Sequence, residues 1–277
     1  MSVQLTEVQK QRLRELDRSK LLFETVFDNL EERNKAFQEV EKRLVEESRQ
    51  HLMRFRKKSR RPALCQMEAT LVEALTSAGF VQVVTPILLS KGLLEKMSIP
   101  SKHPLSKKAF WVSQNKCLRP MLAPHLYFLL ENLARSWEKP IQIFEVGPCF
   151  RKESKGSQHL NEFTMLNLVE FGCPEESRHQ RLKELAHLIM MAAGIDQYKL
   201  VRNSSEVYGE TIDVVSEVEV GSCAMGPHAL DRAWGITDPW VGLGFGLERL
   251  IFVKKGYQNI QRAGRSLIYL DGARLNI

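Results

Sequence analysis

The sequence predicts an α+β fold: an antiparallel β-sheet flanked by helices, preceded by a helical N-terminal region. Three observations point there. Residues 5–61 are charged, carry apolar residues at helical spacing and contain few turn residues. Past Gly79, short strand-like runs are interspersed with helices without a regular β-α-β period. Near the C-terminal end lies a strand in which every second residue is glycine, Gly242, Gly244 and Gly246. With 277 residues, 43% of them apolar, the chain can bury a sizeable core without metals or disulfides. The pattern divides it into a basic helical region, 1–61, and a main domain, 62–277.

The elements follow in order. Val8, Leu13 and Leu16, then Leu44, Val45 and Leu52, mark the N-terminal helices. Pro62 opens a cleaner amphipathic helix with Leu64, Met67, Leu71, Val72 and Leu75 on one face, and Gly79 stands where its cap belongs. Phe80–Val84 reads as a strand ending near Pro86. Pro124 starts a helix carrying Leu126, Leu129, Leu130, Leu133 and Trp137. Ile141–Val146 and Glu162–Phe171 read as strands, and Glu176–Ala193 as a helix closed by Gly194. Glu210–Val215 and Glu217–Ser222 are short strands, and Trp240–Ile251 is the last strong feature.

Composition excludes several classes. No run of 18 uncharged apolar residues exists to span a membrane. The start, MSVQLTEVQKQRL, lacks the apolar core of a signal peptide, so a cytoplasmic address is expected. The five cysteines are an odd number with no C-x-x-C, which indicates reduced, mostly core residues rather than zinc ligands or a disulfide framework. The formal charge is +7, and seven Lys or Arg residues without an acid fall between Arg49 and Arg61. Such a run is either a solvated helix end or a contact for a phosphate backbone.

Three motifs carry chemistry. In Gly242-Leu243-Gly244-Phe245-Gly246-Leu247-Glu248-Arg249, alternation clears one strand face while Leu243, Phe245 and Leu247 fill the other. A bare strip suits a flat heterocycle such as adenine, and Arg249 follows as a fixed cation for phosphate; the plain alternative is a bent strand. In Phe150-Arg151-Lys152-Glu153, then His159-Leu160-Asn161-Glu162-Phe163, the gap Ser154–Gln158 can close a hairpin. Arg151, Glu153, His159 and the Phe163 ring then converge: Arg can bridge carboxylate and phosphate, Glu can accept from an amino group, and Phe can stack on a base. The plain alternative is a surface hairpin with a weak ion pair. The third, Gly79 to Pro86, is by itself an ordinary helix–strand junction.

Taken in chain order, Gly79–Pro86, Phe150–Phe163 and Gly242–Arg249 resemble motifs 1, 2 and 3 of the class II aminoacyl-tRNA synthetases, G-[FY]-x-x-[VLI]-x-x-P, [FH]-R-x-E…[RH]-x-x-x-F and G-x-G-x-G-x-E-R. The likeness narrows through Cys117–Pro124 with Leu126-Tyr127, Phe144–Ser154, Glu162–Asn167, Val207–Thr211 and Pro239–Gly242, which are similar to the pyrrolysyl-tRNA synthetase family's catalytic domain. It covers residues 62–277 closely and the first 61 loosely.

The resemblance implies the class II catalytic fold and a two-step reaction: ATP and an amino acid form an aminoacyl-adenylate, and the acyl group then moves to the tRNA. Carried over by motif, Arg151 and Arg249 are catalytic. Arg151 holds the α-phosphate and substrate carboxylate, Glu153 and Phe163 engage adenine with Leu160 and Gly244 in the same ATP site, and His159 and Arg249 meet the outer phosphates. Glu219 and Ser222 are the implied Mg²⁺ ligands; without the family they are a strand acid and a small core residue. Ala123, Leu126, Tyr127, Leu130, Ala224, Trp240 and Gly242 match the amino-acid pocket, where plain core is the alternative, and Tyr208 matches the family's lid tyrosine. Val169 departs from the Cys of several relatives.

One pocket residue is argued from the chain itself. Asn167 lies between Met165 and Val169 in an apolar row, and a lone amide there must find a partner. That partner is either backbone or the carbonyl of a substrate side chain. The expected substrate is pyrrolysine or a related acylated lysine. The resemblance also implies a homodimer whose seam is motif 1, to which Leu71, Leu75, Val81 and Val83 offer apolar surface. The tRNA-binding domain fused to some members is absent from these residues, so a separate N-terminal tRNA-binding protein is a candidate partner. Alternatives are a class II synthetase for another amino acid, such as phenylalanine, and a non-catalytic RNA-binding paralogue.

Overall fold

Seven strands build the central sheet of the computed structural model, which describes residues 3–17, 25–153 and 159–277. They are β1 (Val81–Gln82), β2 (Ile141–Phe150), β3 (Glu162–Phe171), β4 (Lys199–Ser205), β5 (Gly209–Val215), β6 (Glu219–Gly226) and β7 (Trp240–Gly246). The helices that position them are α1 (Glu7–Leu16), α2 (Leu30–Arg54), α3 (Ala63–Ser77), α4 (Ala123–Leu133), α5 (Arg178–Ala193) and α6 (Leu247–Lys255). Across the sheet the order is β1-β2-β3-β7-β6-β5-β4, so the last strand in sequence is inserted between β3 and β6. Every pair is antiparallel except β1 with β2. That parallel edge follows from the cap of α3. Gly79, at φ +90°, turns the chain, and only Val81 and Gln82 pair before Thr85 and Pro86 leave the ladder.

The two faces of the sheet hold different cores. On one, α3, α5 and α6 bury Leu71, Leu75, Leu182, Ile189 and Leu250 against Phe144, Leu166, Leu168, Leu243 and Phe245. Leu71 and Leu75, expected in a seam between two copies, therefore belong to this core: they are the inward stripe of an amphipathic helix. The exposed apolar row lies just beyond, at Val81, Val84, Ile87 and Leu88, with Val84 86% exposed. On the other face, α4 and a 3₁₀ turn at Ala229–Trp234 pack with a three-stranded sheet of Leu88–Ser90, Phe110–Ser113 and Lys116–Leu118. Helix α4 ends at Leu133, so Trp137 lies past it rather than on it, in the turn that precedes Pro140. Strand β2 runs on through Gly147 and Pro148 to Phe150, and β6 extends to Gly226, both longer than the pattern predicts. The Trp240–Ile251 feature divides at Gly246, strand before and helix after.

A buried polar cluster joins the first core to the second. Arg119 donates to Glu145 at 2.7 Å, to the Thr85 hydroxyl at 2.9 Å and to the Pro148 carbonyl at 2.8 Å. Thr85 donates its N–H and hydroxyl to the same Glu145 carboxylate, at 3.1 and 2.7 Å. A Cβ on Gly147 would lie 2.1 Å from an Arg119 nitrogen, which is why the strand carries glycine there. Removing one member of such a pair would strand a buried charge, so the cluster holds together or not at all.

The N-terminal region is fastened to the far end of the chain. Leu5, Leu13, Leu16 and Leu44 form a third small core that also takes in Ile277. Arg262 donates to the carbonyls of Arg14 and Glu15 at 3.1 and 2.7 Å, Arg12 donates to that of Asn276 at 3.3 Å, and His51 stands 3.3 Å from the Asp271 carboxylate. The basic residues Arg49, Arg54, Arg56, Lys57, Lys58, Arg60 and Arg61 are all exposed, in the last turns of α2, in the π-helical turn Phe55–Ser59 and in the two residues after it.

Candidate active site

Strand β7 is the floor of the site. Its register places Gly242 between Val169 and Ala224, and Gly244 between Asn167 and Ser222; Gly246 stands opposite Met165. Leu243 and Phe245 point the other way, fully buried in the core under α3 and α5. Over the bare strip opens a cavity of about 480 Å³ that every candidate residue lines. Towards the Gly246 end stand Arg151, Glu153, His159, Leu160, Phe163, Glu219, Ser222, Gly244 and Arg249. Towards the Trp240 end stand Ala123, Leu126, Tyr127, Leu130, Asn167, Val169, Tyr208, Ala224, Trp240 and Gly242. The loop Ser154–Gln158 lies outside the described residues.

The polar end is held by contacts that leave charge available. Strand β2 stops at Phe150, so Arg151 and Glu153 sit in the extended segment after it rather than on it. Arg151 donates from Nε to the Pro120 carbonyl at 2.8 Å, and its guanidinium stands 5.2 Å from the centre of the Phe163 ring. Burial presses its pKa down, and the neighbouring Cys149 and Glu153 oppose that; an Arg stays charged regardless. Lys108 donates to both Glu153 oxygens, at 3.2 and 2.9 Å. Arg249 donates to the Glu219 carbonyl at 2.9 Å and to its carboxylate at 3.3 Å. Ser222 donates to Asp213 at 2.7 Å, which leaves its oxygen lone pairs free. Among the described residues no group of three or more His, Cys, Asp or Glu side chains is arranged for a metal. Two oxygen donors, Glu219 and Ser222, suit a hard cation that takes its other ligands from phosphate and water.

The apolar end contains one unmet polar group. The Oδ1 of Asn167 is buried and has no hydrogen-bond partner among the described residues. A Cβ on Gly244 would come within 3.1 Å of the Asn167 amide nitrogen, so the glycine keeps space open in front of it. An unpaired buried acceptor is costly, which makes this position a receptor for a ligand's N–H or O–H. Around it the aromatic rings are fixed. Tyr127 donates to Asp231 Oδ1 and Trp240 Nε1 donates to Asp231 Oδ2, each at 2.8 Å. The Tyr127 and Trp240 rings meet edge to face with centres 5.9 Å apart, and Tyr208 reaches Trp240 at 6.2 Å. Burial raises the pKa of Tyr127 and of Tyr208, so both remain protonated donors.

Sequence reasoning missed Lys108, Asp213, Asp231 and Glu248. Lys108 and Asp213 each contact a candidate residue from another element, which no local spacing reveals. Asp231 sits in Ala229–Trp234 and shows nothing by itself. Glu248 stood inside the third motif without a role. Its carboxylate accepts the Thr164 N–H at 2.9 Å through both oxygens.

The chain's residues 48–269 match the family described as tRNA synthetases class II core domain (F). A crystal structure of pyrrolysyl-tRNA synthetase from Desulfitobacterium hafniense superposes with a TM-score of 0.93 at 54% sequence identity, covering 98% of each chain. A second structure from that organism, of the pyrrolysyl tRNA synthetase PylSc, gives 0.91 at 53%, covering 99% of this chain and 95% of that one. Among curated sequences, the O-phosphoserine--tRNA(Cys) ligase of Methanocorpusculum labreanum is 26% identical over 153 residues, which span 50% of this chain and 28% of that protein.

Glu248 yields a pH prediction. Burial raises its pKa from 4.5 to about 7, against the Thr164 N–H and Arg265, which lower it. The folded state therefore favours the protonated form. Its stabilising contribution is full below the unfolded value of 4.5 and is lost as pH rises through about 7. A Glu248→Gln protein is expected to show a flatter melting temperature across that window than the parent; parallel curves would contradict the assignment.

Proposed function

The chain belongs to the pyrrolysyl-tRNA synthetase family of the class II aminoacyl-tRNA synthetases, and we propose that it activates pyrrolysine with ATP and transfers it to the cognate tRNA. The observation that carries the choice of amino acid is the unpartnered Asn167 Oδ1, an acceptor set in one cavity between a bare glycine strip and an apolar pocket. A long lysine derivative acylated on its side-chain nitrogen brings an amide to that group and methylenes to Leu126, Leu130, Val169 and Trp240. Free lysine would bury an ammonium there without a counter-charge. A phosphorylated side chain would find no cation in that row.

In the first step a carboxylate oxygen of the amino acid attacks the α-phosphorus of ATP, and pyrophosphate leaves. In the second, a hydroxyl of the terminal tRNA ribose attacks the acyl carbon, and AMP leaves. No covalent enzyme intermediate is required, so the protein contributes position and charge. Arg151, braced by Pro120 and Phe163, bridges the carboxylate and the α-phosphate. Adenine lies along the strip at Gly244, with its amino group on Glu153. His159 and Arg249 hold the outer phosphates. Glu219 and Ser222 would hold Mg²⁺, which when bound offsets charge on the phosphate oxygens.

The surroundings extend the reading. The exposed row Val81, Val84, Ile87 and Leu88 supports a homodimer through the motif 1 segment. Seven exposed cations at the end of α2 support tRNA binding by the N-terminal region, 1–61, beside the catalytic domain, 62–277, with or without a separate tRNA-binding protein. The use of ATP and tRNA supports a cytoplasmic address.

Three measurements test this. ATP–pyrophosphate exchange is expected to require Mg²⁺ and to prefer pyrrolysine or an acyl-lysine over lysine and phenylalanine. In it, Arg151→Ala is expected to lose on the order of a hundredfold or more, and Asn167→Ala about tenfold on acyl-lysines; full activity of either folded variant would remove that residue's role. Sedimentation at micromolar concentration should show a dimer, and a monomer would end the proposed seam. Neutralising several of Arg54, Arg56, Lys57, Lys58, Arg60 and Arg61 should weaken tRNA binding and flatten its salt dependence. An unchanged slope would return the run to a solvated helix end.

A further inference from the structure

Tyr127 and Trp240 reach the cavity from different parts of the chain, one on α4 and one on β7. Each presents an apolar ring to the substrate space and carries one polar atom at its rim. Both polar atoms end on the same carboxylate. Asp231 is fully buried, and its Oδ1 takes the Tyr127 hydroxyl while its Oδ2 takes the Trp240 indole N–H. The backbone N–H of His228 adds a third donor to Oδ2 at 2.6 Å, which fixes the carboxylate relative to its own turn. Asp231 does not line the cavity.

We propose that Asp231 is the positioning residue of the amino-acid pocket, setting the distance and tilt of the Tyr127 and Trp240 rings and so the width of the space between them. The proposal rests on the cavity's role in amino-acid activation. Two further observations and one physical argument support it. A Cβ on Gly226 would fall 1.8 Å from Trp240 Nε1, so the chain is cleared where the indole must pass to reach Asp231. The Tyr127 ring is also braced by Trp234 at 5.5 Å, and Trp234 Nε1 donates to the Lys96 carbonyl at 3.2 Å. With the carboxylate gone, a hydroxyl and an N–H would be left unpaired in an apolar wall, and the nearest relief is rotation of the rings towards the cavity. Asparagine at this position keeps the volume but turns a donor towards one of the two rims.

The test compares Asp231→Asn and Tyr127→Phe with the parent by exchange kinetics and near-UV circular dichroism. Asp231→Asn is expected to raise KM for an acyl-lysine about tenfold while KM for ATP stays within about twofold. Tyr127→Phe, which keeps the ring and removes its tie, should shift the same parameter by less. The two together should raise KM by less than the product of the single effects. The indole bands of the near-UV spectrum should change in both variants while the far-UV spectrum does not. A purely structural role would lower the melting temperature and leave KM and the indole bands alone, and that result overturns the proposal. If Asp231→Asn does not fold, Tyr127→Phe decides by the same two readouts. A parent without exchange on acyl-lysines would overturn the substrate reading, and the indole bands would still report whether the carboxylate sets the rings.

Discussion

Three absent side chains on one strand govern the rest of the molecule. Because β7 runs through the sheet between β3 and β6, whatever it leaves uncovered becomes the floor of a cavity with neighbouring strands for walls. Gly242, Gly244 and Gly246 leave it uncovered on one side only. On the other, Val241, Leu243 and Phe245 are fully buried and hold the strand against the helical layer. The strand is therefore both a core element and a binding surface, through nothing but side-chain alternation. A methyl group at Gly244 would press on Asn167, and one at Gly242 would come 3.0 Å from the Trp240 ring. The strip is thus tied to the pocket beside it as well as to the space above it.

The walls are held by a few polar groups that touch no substrate in the proposed mechanism. Arg119 links Thr85, Glu145 and Pro148, and the next residue's carbonyl, on Pro120, receives Arg151. The segment behind the exposed motif 1 row is in this way two residues from the guanidinium that meets the phosphate. Lys108 and Asp213 play comparable parts behind Glu153 and Ser222. Arg151, Glu153, Ser222 and Arg249 thus each have one face committed to the protein.

How much of this the sequence reveals depends on the range of the interaction. The glycine alternation of 242–246, the cap at Gly79 and the helices opened by Pro62 and Pro124 are local and legible. So is the polar part of the cavity, because Arg151, Phe163 and Arg249 occur in spaced strings, whereas Ala123, Leu126, Tyr127, Leu130, Ala224 and Trp240 are legible only through the family resemblance. The position of β7 is not legible, since its partner strands are joined to it only by the folded sheet. Leu71 and Leu75 show the same limit: a helical stripe declares an apolar face without saying what covers it. Asp231 is the extreme case. An acid between Leu230 and Arg232 in a short turn gives no hint that two rings from distant segments will end on it.

The clasp between the first helices and residues 262–277 bears on how the protein comes off the ribosome. Helices α1 and α2 are made first, yet Arg12, Arg14, Glu15 and His51 meet partners some 220 to 264 positions later. Until those residues emerge, the stripe of Leu13, Leu16 and Leu44 has only its own hairpin to cover it. The intervening catalytic sheet must assemble while that stripe waits, and β7, its central strand, is itself late. Closure of the N-terminal helices on residues 262–277 therefore waits until those residues are available. Contacts of such separation are the slowest to form, so this apolar stripe is the one left uncovered longest.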